Sequence, residues 1–304
     1  MFAVYSAWAS QRPEMDCGKR ESLDNSWSFL NSCGVLQRLA LSLMLNPAAI
    51  SNRTLLGKVL RLPLRLLPKG MAIPILRGPA KGLKWIVGSS NHGCWLGTYE
   101  LEKQAALERF IKPGMTVYDI GAQAGFYTLF FSRLVGGRWR VYAFEPFAEN
   151  LRYLIAHITM NRLSNVKVVQ VALADQTGLA GFTVDRGKSQ NALVDSGDSP
   201  LVVATMRLDE LVEDHGFSPP DLLKLDVEGG EALVLEGARL TLERHWPVVF
   251  VALHGRRQQE TCRLILESLG YELFTLSGQR VATSTIDADE VYALPGRASF
   301  ARGR

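Results

Sequence analysis

Val-Tyr-Asp-Ile-Gly-Ala-Gln-Ala-Gly-Phe-Tyr, residues 117–127, is the stretch from which the fold is read. Thr116–Ile120 is a short apolar run with β-branched residues, the pattern of a buried strand. Phe126–Leu134 is apolar and long enough for a helix. Between them Gly121 and Gly125 stand four apart, with only small residues and Gln123 inside. A strand that runs through such a loop into a helix turns bare backbone N–H groups toward a ligand. Glycine suits the loop because a Cβ would block close approach. Asp119 falls at the carboxyl end of the strand, where open α/β sheets bind ligands.

The next element extends the pattern. Arg140–Glu145 reads as a second strand ending in an acid, followed by Pro146. Glu145 lies 20 residues after Gly125, the place where nucleotide-binding α/β units put a carboxylate on the ribose hydroxyls. It is also placed to cap a helix starting near Phe147. The third glycine of a dinucleotide fingerprint is absent, and so is the Lys-Ser/Thr of a phosphate loop. What remains, Asp-x-Gly-x-x-x-Gly and then a strand-end Glu, resembles the first two motifs of class I S-adenosylmethionine (SAM) methyltransferases. An acid at Asp119 suits the sulfonium and the amine of that cofactor.

Length and composition set outer bounds. The 304 residues are 47% hydrophobic and 21% charged, a globular composition with room for one large α/β domain and an extension. A net charge of +4 is too small to argue for nucleic acid. Cys17, Cys33, Cys94 and Cys262 form no Cys-x-x-Cys pair, which favours free thiols in a reducing compartment. No apolar run of about 18 residues is present, and no basic segment precedes an apolar core at the N-terminus, so a cytoplasmic protein without a leader is expected.

Along the chain, residues 1–34 have no clear period and read as poorly ordered. Residues 35–94 read as a helical N-terminal extension, 95–296 as the main domain and 297–304 as a tail. Residues 55–67 carry Lys58, Arg61 and Arg65 among leucines; a helix covering the sheet or a pocket is expected, with peripheral membrane contact as the lesser reading. Ile73–Gly82 reads as a turn-rich linker and Leu83–Val87 as a strand. Tyr99 is either a packing anchor or part of a cofactor lid. A helix follows Glu145, then one strand over Val166–Ala172. Asp175 just beyond it is placed either to accept from the adenine amino group or to form a turn. Leu179–Asp185 and Leu201–Met206 read as strands, joined by a Gly/Ser/Asp-rich loop over 187–200 that suits a binding loop. Asp221–Asp226 and Pro247–Leu253 are further buried strands, and two short strands close the domain.

A second set of residues gathers at the ends of those strands: Lys224, Asp226, Glu228, Glu231 and His254. Methyl transfer from a sulfonium is an in-line displacement, so an enzyme aligns acceptor oxygen, methyl carbon and sulfur. His254 is the candidate base because an unperturbed imidazole titrates nearest neutrality. Asp226 and Glu228 would orient the acceptor or the base, and Glu231 stands in the first turn of a helix, where acids are favoured in any case. A metal on Asp226, Glu228 and His254 has no dense oxygen-ligand motif behind it, and none is expected.

Taken together, Trp95–Glu100, Asp119–Thr128, Ala143–Asn150, Ala172–Asp175, Arg207–Leu211, Asp221–Glu231 and Gly270-Tyr271 resemble the FkbM family of methyltransferases, over roughly residues 95–275. The resemblance implies a class I, Rossmann-like α/β fold with a mostly parallel seven-stranded sheet and helices on both faces. It implies SAM as cofactor, held by Asp119, Gly121, Gly125 and Glu145 with Pro146. It also implies O-methylation of a hydroxyl, with a small molecule, sugar or other glycan, or secondary metabolite as acceptor. Members usually have Asn at the position of Gln123, and often Glu at that of Ala252. The alternatives are a non-catalytic nucleotide-binding or scaffold protein on the same fold, and a nicotinamide oxidoreductase.

Overall fold

A computed structural model describes residues 67–137, 140–185, 190–194, 201–281 and 288–296. The expectations for residues 1–34, for 35–61 and for the basic stretch 55–67 apart from Leu67 fall outside the described residues, as does that for the 297–304 tail.

The described residues open with a small hairpin, β1 (Ala72–Pro74) with β2 (Lys84–Ile86), then α1 (His92–Leu96) and α2 (Leu101–Phe110). The main run follows: β3 (Val117–Ile120), α3 (Phe126–Val135), β4 (Val141–Phe144), α4 (Ala148–Met160), β5 (Val166–Val169). A set of further strands comes next: β6 (Ala172–Leu173), β7 (Gly178–Asp185), β8 (Gln190–Val194) and β9 (Val202–Met206). The remainder is α5 (Leu208–Glu213), β10 (Leu222–Leu225), α6 (Glu231–Glu236), α7 (Arg239–His245), β11 (Val248–Ala252), α8 (Arg256–Ser268), β12 (Tyr271–Thr275) and β13 (Glu290–Pro295).

Seven strands make one sheet in the order β12-β13-β11-β10-β3-β4-β5. β10, β11, β3, β4 and β5 pair in parallel, and β13 runs antiparallel between β11 and β12. Strand order turns back on itself at the β3–β10 boundary, the switch point where such sheets open a crevice. Alternation sorts the side chains. Tyr118, Ile120, Leu223, Leu225, Val249 and Val251 pack toward Leu211, Leu235 and Leu266 of α5, α6 and α8. Val117, Leu222 and Phe250 pack the other way, against Leu107 of α2 and Phe130 of α3. The expected class I α/β architecture is therefore present.

Local departures have tertiary causes. The single strand expected over Val166–Ala172 splits, because Val166–Val169 pairs with β4 while Ala172 and Leu173 pair with β9 in a second sheet, order β6-β9-β7-β8. The 187–200 connection contains the whole of β8, paired antiparallel with β7, so less of it is loop than its polar composition suggests. α6 and α7 are separated at Gly237, where a Cβ would lie 2.0 Å from the Ala174 carbonyl oxygen. Within the 35–94 extension, residues 67–94 hold the hairpin and the start of α1, and Ile75, Trp85 and Cys94 share a core with Phe126 and Phe130. No helix among the described residues is long and apolar enough to cross a membrane.

His157 fastens that hairpin to the glycine loop. Its Nε2 accepts from the Ile86 N–H at 2.9 Å, so Nδ1 carries the proton and donates to Ala124 O at 2.7 Å. Trp85 stacks on the ring at 4.0 Å between centroids. Burial pushes the imidazole down to about 4, against the opposing pull of its bond to Ala124. The unfolded histidine, near 6.5, therefore takes up its proton first as pH falls. Stability contributed by His157 is full above about 6.5 and drains away toward pH 4, by up to about 3 kcal/mol. The unfolding free-energy gap between the parent and His157→Gln is expected to shrink by about 2 kcal/mol from pH 7.5 to pH 5. Urea titrations at both values check it, and a gap that does not move with pH excludes this account.

Candidate active site at the carboxyl ends of the strands

The loop after β3 is shaped by its glycines. Gly121 has φ +77°, and a Cβ there would sit 1.9 Å from the Asp226 carbonyl oxygen. The loop is thus pressed against the end of β10. Lys224, paired with Asp119 in the sheet register, closes the gap from beneath. Its Nζ donates to Gly121 O at 3.0 Å and pairs with Asp119 Oδ1 at 3.1 Å. Asp119 Oδ2 accepts from Thr128 Oγ1 at 2.6 Å. Asp119 is fully buried below the loop, its carboxylate committed to these two partners.

Three clefts meet above the loop, and Asp119 lines none of them. The first is a slot between the loop and the second sheet, lined by Phe144, Glu145, Pro146, Leu173, Phe182 and Val227 among others. Glu145 is buried with both oxygens engaged: Oε2 accepts from the Gln123 N–H at 2.8 Å and Oε1 from the Phe147 N–H at 2.9 Å. Burial raises its carboxyl above the usual range, although those two N–H groups pull the other way. A carboxylate offers about four lone-pair sites, so room remains to accept from a diol. The second cleft, lined by Tyr99, Lys224 and Tyr127, lies on the other side of the loop. The third is wide, about 800 Å³, and carries Glu100, Glu228, His254, Asp289 and Glu290. Asp226 and Gln123 line all three.

The floor of the wide cleft is a buried charge cage. Lys103 Nζ, on α2, donates to Glu100 Oε2 at 3.0 Å, to Asp226 Oδ2 at 3.2 Å and to Glu290. Tyr127 Oη donates to the same Glu100 oxygen at 2.8 Å. Burial works against the Lys103 charge, but Asp226, Glu290 and Glu100 outweigh it and hold the ammonium protonated. Burial likewise pushes Asp226 up, and Lys103, Lys224 and His254 more than reverse it, so this carboxyl sits below its usual range. Glu290 goes the other way, because its burial outweighs the pull of Lys103.

His254 stands at the end of β11 with its ring held at both nitrogens. Nδ1 lies 2.8 Å from Oε1 of the fully buried Glu231, which also accepts from the N–H groups of Val227 and Gly229. Nε2 faces Glu228 Oε2 at 3.3 Å and Asp226 Oδ1 at 3.8 Å. The bond to Glu231, opposed by burial and helped by the other two carboxylates, lifts the imidazole to about 9. Residue type alone predicts a base poised near neutrality here; the surrounding carboxylates instead keep the proton on at neutral pH.

The structure thus brings Asp226, Glu228, Glu231 and His254 into one cluster. It places Gly121, Glu145, Pro146 and Tyr99 around the adjoining clefts. Gly125, at φ +94° ahead of α3, shapes the loop without lining these clefts; a Cβ there would meet Leu154 at 2.6 Å. Asp175 follows β6 but does not line the slot, where Ala172 and Leu173 do. Sequence reasoning missed Lys103 and Glu290. Lys103 shares the buried side of α2 with Leu107, one turn on, and a lysine in that row was the available signal.

The family model for the methyltransferase FkbM domain matches residues 119–273. A 31-O-demethyl-FK506 methyltransferase, FkbM, of Streptomyces tacrolimicus is 26% identical over 170 residues, covering 45% of this chain and 63% of that protein. The 2-O-methyltransferase NoeI of Sinorhizobium fredii is 26% identical over 151 residues, covering 44% and 61%. The chain therefore spans less than two thirds of the length of these relatives. Among solved structures, a methyltransferase FkbM from Methylobacillus flagellatus aligns with a TM-score of 0.40 at 17% identity, over 67% of this chain and 55% of that one.

Proposed function

Because the chain belongs to the FkbM methyltransferase family, we propose that it transfers a methyl group from SAM to a hydroxyl oxygen of a small molecule, sugar or secondary metabolite. The observation that carries this reading is the meeting of three clefts at Asp226 and Gln123. Membership implies SAM, and the chemistry of the donors suits it: a buried carboxylate for a diol at Glu145, an apolar slot beside it, and acidic groups beyond the loop for cationic groups.

Bound there, SAM supplies an electrophilic methyl on a sulfonium. Glu145 and the flanking Phe144, Pro146 and Leu173 bind the nucleoside end, while the loop backbone from Gly121 and the side chain of Tyr99 position the amino-acid end. Asp119 acts from below, through Lys224 and Thr128, by fixing the loop. Asp226 and Glu228 orient the acceptor hydroxyl, and Glu228 is the better proton acceptor of the two. Burial, together with Asp226 and Glu231 and against His254, holds its carboxyl above the usual range. Glu231 keeps the His254 ring in place. The slot is lined by Phe144, Leu173 and Phe182, apolar faces that suit a purine.

Calorimetric titration with SAM tests the reading, and the absence of saturable binding by the folded chain rejects it. Glu145→Ala removes an ionised partner of two backbone N–H groups and of the diol. It is expected to weaken SAM by about 10- to 100-fold, the worth of about one charged hydrogen bond. Unchanged affinity would place the nucleoside elsewhere. Transfer of a deuterated methyl to an acceptor in a cell extract, read by mass spectrometry, separates an enzyme from a non-catalytic binder.

A further inference from the structure

Asp226, Glu228 and His254 each present one donor atom to the wide cleft, and these atoms lie within 4.8 Å of one another. The set is not simply acidic. The fully buried Glu231, which stands outside it, accepts the Nδ1–H of His254 and so turns Nε2 inward. Nε2 then meets Glu228 Oε2 at 3.3 Å and Asp226 Oδ1 at 3.8 Å. Nε2 and the two carboxylate oxygens converge on one point, which either a proton or a metal ion can occupy. Metal–ligand bonds of about 2.1 Å place neighbouring ligands ~3.0–3.4 Å apart, a spacing that the His254–Glu228 pair already has and that the His254–Asp226 pair exceeds slightly. An imidazole whose far N–H is held by a carboxylate is the common support of a metal ligand. The other oxygen of Asp226 is already held by Lys103, which leaves Oδ1 for the cleft. The neighbouring group Glu100, Asp226 and Glu290 is also close enough to ligate, but the Lys103 ammonium sits among its oxygens.

We propose that Asp226, Glu228 and His254 form a binding site for one divalent transition-metal ion. Mixed nitrogen and carboxylate donors favour ions such as Mn²⁺ or Zn²⁺ over Mg²⁺ or Ca²⁺, which prefer oxygen alone. The site needs no SAM to form. Its open side faces the cleft, where an oxygen of an acceptor would complete the coordination.

The test uses the full chain, stripped with a chelator and titrated with Mn²⁺ alone, with free Mn²⁺ read by electron paramagnetic resonance. One saturable site per chain is expected, from which Zn²⁺ displaces the manganese. Glu228→Gln and His254→Gln are each expected to weaken it by about 100-fold, and Glu231→Gln, which touches only the far nitrogen, by about 10-fold. Circular dichroism confirms folding, and partly exposed Glu228 serves as the test if the His254 variant unfolds. No saturable Mn²⁺ binding, binding that survives Glu228→Gln, or equal preference for Mg²⁺ overturns the proposal and leaves a proton in that position. SAM binding is measured in parallel, so loss of the metal site and loss of the methyltransferase reading are told apart.

Discussion

Lys103→Met is expected to destabilise the chain by about 3–5 kcal/mol, because it strips a buried cation from its partners while they stay in place. Glu100, Asp226 and Glu290 then crowd a site with no ammonium to separate them. The sign of the pH dependence is specific. Without Lys103 the folded state raises the affinity of these carboxylates for protons, so the deficit of the variant is largest at pH 8 and narrows toward pH 5. Urea unfolding at the two values reads it. The proposed methyl transfer is expected to fall by about 100-fold even where the variant is folded, since Asp226 loses its hydrogen bond from Lys103. A deficit under about 1 kcal/mol would show that the cage contributes little. Lys103→Arg should recover only part of the loss, since a planar fork cannot point at three separated carboxylates as an ammonium does.

Gly121→Ala is the second large effect. The Cβ would lie 1.9 Å from the carbonyl oxygen of Asp226 and 2.8 Å from its carbonyl carbon, both backbone atoms of a neighbouring strand end. No side chain can turn aside to make room. The ends of β3 and β10 must part, which disturbs the Asp226 N–H bond to Ile120 O and the Lys224 bond to Gly121 O. A stability loss of about 3 kcal/mol or more is expected, with SAM affinity down by about 100-fold. Gly216→Ala is the control. Gly216 has φ +67° and nothing within 4 Å of an added Cβ, so only the left-handed backbone counts against it, about 1–2 kcal/mol. If the two variants unfold alike in urea, steric closeness at Gly121 is not what matters.

Much of the sheet was legible because β3, β4, β10 and β11 are short apolar runs, almost wholly buried, that lead to polar residues at the crevice. That is why Glu145, Asp226, Glu228 and His254 could be picked out by position. Neighbourhood was less legible. The 166–172 run is largely apolar, and only pairing with β4 on one side and β9 on the other divides it. Lys103 finds Asp226 and Glu290 at separations of 123 and 187 residues, which no local pattern records. The type of residue at His254 was evident, but its proton affinity depends on Glu231, 23 residues away.

Completion of the charge cage depends on the last described strand. β13 inserts between β11 and β12, and Glu290 at its head supplies the third carboxylate to Lys103. The third carboxylate therefore reaches Lys103 only through the pairing of β13 with β11, at a separation of 187 residues. Because β13 is held between β11 and β12, loosening of that pairing would withdraw Glu290 from Lys103 while Glu145, after β4, keeps its own hydrogen bonds.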